Sequence, residues 1–163
     1  MFSTIHPHVL THRHARNVQF IFRPQIQPWH PSSTLAHEAA AAVLRIAPAR
    51  FWAFSARLFA AQRDFFDGPT ARETRNQTYT RLAALAGEEG VDAQRVYALL
   101  EVGAAEGNAG NAVTDDVKLM VKANRLVGVH VTPTVLFNGV VESSISSSFS
   151  KSDWEEWLAK KAV

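Results

Sequence analysis

Two short apolar runs stand far apart in this sequence, and almost everything between them reads as helix. NVQFIFRP (17–24) is dense in β-branched and aromatic residues and stops at Pro24, as a short strand would. HVTPTVLFNG (130–139) opens on a Thr-Pro and closes on Asn138-Gly139. Asn-Gly is the strongest two-residue hairpin signal, because both turn positions need a positive φ. It predicts strands over 133–138 and 140–145. One strand, a long helical block over 32–127, a hairpin and a closing helix predict a single α/β domain with a helical insertion.

Inside the block the helices are punctuated. LAHEAAAAVLRI (35–46) follows Ser and Thr residues suited to capping. A second helix opens at Pro48, carries Phe51, Trp52, Phe54, Leu58, Phe59, Phe65 and Phe66, and is expected to end at Gly68-Pro69. Thr70-Ala-Arg-Glu73 has capping-box spacing and predicts a helix to Gly87. Asp92 caps the next helix, EGNAGN (106–111) is the most mobile-looking loop, and Asn111 or Thr114 caps a helix through Leu126. Phe2, Ile5, Val9 and Leu10 have near-helical spacing broken by Pro7, and QIQPWHPSS (25–33) is an ordered connection. SSISSSFS (143–150) is a loop, and Ser152-Asp-Trp-Glu155 opens a last amphipathic helix with Trp154, Trp157 and Leu158.

The chain of 163 residues, 47% hydrophobic and 20% charged, is an ordinary globular length and composition. It can bury roughly 70% of its unfolded surface without a staple. It has no cysteine, which excludes disulfides, thiolate metal sites and thiol nucleophiles of its own. A net charge of +2 gives no basic stripe for nucleic acid. No apolar run is long enough to span a bilayer, and MFSTIHPHVL lacks the charged leader and apolar core of a signal peptide. A cytoplasmic, soluble protein is expected.

The order of elements resembles the DsbA-like branch of the thioredoxin superfamily, most of all its uncharacterised fungal members. NVQFIFRP lies where that family has its second strand, residues 32–127 where it has its helical insertion, and HVTPTVLFNG where it has its cis-proline strand. VVESSI and SKSDWEEWLAKK match the last strand and helix. The resemblance implies a thioredoxin-like sheet with an all-helical insertion domain between the second and third family strands. Residues 1–31 and 128–163 would form the core. It also implies a cis Thr132–Pro133 peptide. The family's first strand and its Cys-x-x-Cys loop have no counterpart in this sequence, so thiol–disulfide oxidoreductase activity is not expected. The sheet would then need repair, by direct pairing of 18–23 with 133–138 or by a strand from a second copy, and a homodimer is the expected repair.

In that topology Gln25, Gln27, Trp29 and His30 on one loop would meet His130, Thr132 and Pro133 on another. These seven are the expected binding residues for an extended peptide, a small molecule or a partner chain. The alternative is an enzyme. It would be a glutathione-dependent transferase of kappa-like type, with glutathione the one small-molecule cofactor in view, or an isomerase or cyclase using His30 or His130 as acid–base groups. His6, His8, His12 and His14 lie close together, but Arg13 and Arg16 sit beside them and no carboxylate does, so no metal is expected. His37 and Glu38 point about 100° apart on a helix and read as surface residues. The Phe-rich helix reads as core, and Asn76-Gln-Thr78, mid-helix, as no glycosylation site.

Overall fold

Ala39, Ala40, Ala41 and Ala42 are all buried, and together with Val43 they make the helix that carries them the hub of the larger part of the protein. Their small side chains let several helices approach one axis closely. The computed structural model describes residues 5–6, 16–104 and 107–161. It divides into two compact units, Met1–Arg23 with Val129–Val163, and Pro24–Gly128.

The Pro24–Gly128 unit is helical: α1 Pro31–Ile46, α2 Phe51–Ala60, α3 Asp67–Thr70, α4 Arg75–Glu88, α5 Ala93–Leu100 and α6 Thr114–Leu126. Helix α1 packs on α2, α4, α5 and α6, and α4 packs on α5. Phe54, Leu82, Val96, Leu100 and Val113 are fully enclosed among them. Asp92 caps α5 as expected, accepting hydrogen bonds from the amides of Gln94 and Arg95.

Two boundaries differ from the sequence reading. The Phe-rich helix stops at Ala60 and passes through a 3₁₀ turn, Gln62–Phe65, while Gly68 and Pro69 lie inside α3. Tertiary donors meet the carbonyls at the end of that turn: Ser32 Oγ donates to Phe65 O at 2.5 Å, and an Arg81 nitrogen donates to Asp64 O at 2.7 Å. The capping box is Thr74/Gln77, and Thr70/Glu73 is not one. Glu73 is occupied elsewhere, accepting from Thr78 Oγ1 and pairing with Arg81.

The other unit holds the hairpin β1 Leu136–Phe137 and β2 Val140–Val141, then α7 Lys151–Lys161. Asn138 (φ 50) and Gly139 (φ 84) both take the left-handed conformation expected of an Asn-Gly turn. The strands are shorter than the expected 133–138 and 140–145. Beyond β2 the Glu142 carboxylate accepts from the amide and hydroxyl of Ser144, which turns the chain off the ladder. Ser150, not Ser152, opens α7, exchanging hydrogen bonds with Asp153. Ile5, Ile145, Trp154 and Leu158 form the core, with Val18, Phe20, Val135, Phe149 and Trp157 packed against it.

Among the described residues the sheet consists of β1 and β2 alone. The strand expected over 17–24 joins no ladder. Its burial nevertheless alternates with period two: Val18, Phe20 and Phe22 are half-buried, while Gln19, Ile21 and Arg23 are exposed. That is the pattern of a strand laid on a core. Side-chain packing supplies the alternation locally, whereas ladder pairing needs a neighbouring edge in register.

Candidate functional site

Proline rim residues lie in the unit that holds the hairpin. Val129 is buried, and His130, Val131, Thr132 and Pro133 then run exposed to the start of the strand. The Thr132–Pro133 peptide is cis. Thr134 Oγ1 donates to Val131 O at 2.5 Å, closing a turn around the proline. Val135 then packs on the core, and Phe137 meets the Trp157 ring edge-on at 5.0 Å.

The register fixes which backbone groups face outward. Leu136 lies opposite Val141 and Phe137 opposite Val140. The Glu142 amide donates to Val135 O at 2.9 Å, so Val135/Glu142 is a hydrogen-bonded pair. Opposed pairs alternate between bonded and non-bonded in an antiparallel ladder. Leu136/Val141 is therefore the non-bonded pair, and the amide and carbonyl of Leu136 point away from β2. Among the described residues the outer edge of β1 thus has no ladder partner at Leu136, and the apolar side chains of Leu136 (37%) and Val131 (57%) are exposed.

Gln25, Gln27, Trp29 and His30 belong to the helical unit. Asn124, buried on α6, donates to Pro24 O at 2.8 Å and to Gln25 Oε1 at 3.0 Å, so Gln25 anchors its own loop. Trp29 is 66% exposed. His30 precedes α1, and its Nδ1 stands 3.6 Å from Asp67 Oδ2 with both side chains largely in water. At that distance the pair is no hydrogen bond, and exposed pairs contribute little. His130 is exposed as well. Of the four clustered histidines only His6 is described, close to the Phe20 ring; His8, His12 and His14 lie outside the described residues. No group of three metal-ligating side chains occurs among the described residues, and no helix among them is long and apolar enough to cross a membrane.

The sequence reading placed His37 and Glu38 on a surface, and here the structure corrects it. Glu38 is 1% exposed. Arg75 donates to both its oxygens at 3.0 and 3.1 Å, Thr114 Oγ1 donates at 3.3 Å, and the Tyr79 hydroxyl makes a short hydrogen bond to it. Asn111 Nδ2 donates in turn to the Tyr79 oxygen at 3.1 Å. Burial, and after it the bond to Glu38, pushes the Tyr79 phenol far above its ordinary range. Each oxygen of the buried carboxylate has two donor groups within reach, so the cluster locks α1, α4 and α6 together. His37 is pulled the other way: burial lowers its proton affinity, and its Nδ1 donates to Ser33 O at 2.7 Å. The local clue was a single carboxylate in the apolar stretch LAHEAAAAVL, with Arg75 and Tyr79 one turn apart on another helix. Asn76 is likewise structural, bonded in both directions to the Val102 backbone at 3.0 Å.

Compared with known proteins, the chain matches no family model, no curated protein and no solved structure.

Proposed function

We propose that this chain is a non-redox binding module of the thioredoxin-like, DsbA-like kind, whose small sheet is completed by an extended segment added along the outer edge of β1. The preferred occupant is the same edge of a second copy, giving a homodimer, and an extended peptide would use the same groups. The observation that carries this reading is the open edge of β1 at Leu136, adjoining the exposed Val131–Pro133 rim. A strand edge with free amides and carbonyls is a template for pairing, and exposed apolar side chains beside it add burial. The chain has no thiol, so the rim presents backbone and not a redox partner.

Leu136→Pro tests the reading. It removes the outward amide while leaving the β1–β2 hydrogen bonds, because Leu136 is not a bonded position of that ladder. Light scattering should give twice the 18.0 kDa chain mass for the wild type at micromolar concentration, and the monomer mass for the variant, with the same circular dichroism. A wild type that is monomeric and captures no strand-forming peptide would end the proposal. Glutathione at millimolar concentration should leave the melting temperature unchanged; stabilisation would move the protein to the transferase reading.

A further inference from the structure

A cleft of about 440 Å³ opens in the helical unit between α1 and α6, within the usual size range of small-molecule sites. Its floor is apolar, with Val117 and Val121 from α6 and Ile26 from the connection before α1. The Asn124 bonds to Pro24 and Gln25 hold that connection against α6, which sets Ile26 over the cleft. Lys118, Lys122 and Arg125 line it too, at i, i+4 and i+7 of one helix face.

The charges there do not balance. Glu38 is the one carboxylate lining the cleft, and its oxygens are already taken by Arg75, Tyr79 and Thr114. Lys118 pairs with Asp115 at 3.1 Å in open solvent, where the partner is easily exchanged. Lys122 and Arg125 make no ion pair among the described residues. A cationic wall above an apolar floor selects a ligand with both characters: a hydrocarbon or aromatic body and a single anionic head.

We propose that this cleft binds a small amphipathic anion, a medium-chain carboxylate or its equivalent, with the tail on Val117, Val121 and Ile26 and the head between Lys122 and Arg125. The cleft belongs to the helical unit, and the proposal does not rest on the reading of the β1 edge.

The test uses decanoate and decanol, which share a tail and differ in charge, followed by calorimetry and by amide shifts in nuclear magnetic resonance. Wild type should bind decanoate more tightly than decanol, with the shifts confined to α1, α6 and the connection that carries Ile26. Lys122→Glu/Arg125→Glu alters two solvent-facing side chains. It should weaken decanoate by about tenfold, the effect of two reversed surface charges, and leave decanol unchanged. Val121→Asp should weaken both ligands. Equal binding of acid and alcohol, insensitivity to the charge reversal, or no binding of either at millimolar concentration would each overturn the proposal. Shifts clustered on the hairpin instead would overturn it as well.

Discussion

Replacing Arg75 by methionine removes the guanidinium from Glu38 and from the face of the Tyr79 ring, while keeping an unbranched apolar side chain at the position. Three charge-assisted hydrogen bonds disappear, two to Glu38 and one from Arg75 Nε to the Tyr79 hydroxyl, and each is worth about 1.5–3 kcal/mol. Breaking a buried ion pair by deleting one partner costs about 3–5 kcal/mol. Arg75 itself is 41% exposed, and Tyr79 and Thr114 still donate to the carboxylate, so the low end applies. We expect a loss of ~3 kcal/mol, which for a chain of this size lowers the melting temperature by about 6–12 °C. Urea unfolding followed by far-ultraviolet circular dichroism measures it, because the helical unit dominates that signal. Glu38→Gln in the Arg75→Met background should recover part of the loss, since a neutral amide no longer needs the cation. A loss below about 1 kcal/mol, the size of an exposed pair, would show that Glu38 is not sealed in as described.

Two further outcomes follow from local geometry. Burial lowers the proton affinity of His37 in the folded chain below the ordinary 6.5, so the unfolded chain takes up the proton first on acidification. The His37 contribution is thus absent above that pH and becomes a loss of stability as the pH falls through it. His37→Gln should flatten this part of the stability profile between neutral and mildly acidic pH, and an unchanged slope would refute the assignment. Gly139→Ala should destabilise the chain by about 1–2 kcal/mol, because the position holds φ 84 with nothing nearby to clash, so the cost is the backbone alone. Gly103→Ala, open on all sides and not at positive φ, should be neutral or stabilising by up to about 1 kcal/mol, and a similar loss at both positions would contradict this.

What could be read from the sequence was what a few neighbouring residues decide. Asn138-Gly139 needs its turn wherever it occurs, and Asp92 has the next helix's amides within reach, so both appeared in place. The alternation of NVQFIFRP was also visible, but not the absence of a ladder, since pairing depends on an edge far away in sequence. Helix breaks were not legible where distant partners take part: the Phe-rich helix gives way to a 3₁₀ turn before Gly68-Pro69, and Ser32 and Arg81 bond the carbonyls at the end of that turn. Glu38 was the largest miss. Adjacent to His37 it looked like half of a surface pair, and only the joint packing of α1, α4 and α6 reveals that it is enclosed. The open edge of β1 rests on a register that Asn-Gly could set, but the early departure of β2 at Glu142 was not legible.

The absence of cysteine makes the central claim, pairing through the edge of β1, directly testable by cross-linking. If two copies pair antiparallel about a two-fold axis through outward groups of Thr134 and Leu136, then Thr134, Val135 or Leu136 lies opposite its own copy. Opposed residues stand about 4.5–5.5 Å apart between Cα atoms, inside the disulfide range of about 4.4–6.8 Å. Single variants Thr134→Cys, Val135→Cys and Leu136→Cys, mildly oxidised at micromolar concentration, should include one that forms a covalent dimer in high yield. Val141→Cys, on the strand away from that edge, should not. Covalent dimer from Val141→Cys alone, or from none of the four, would contradict the account.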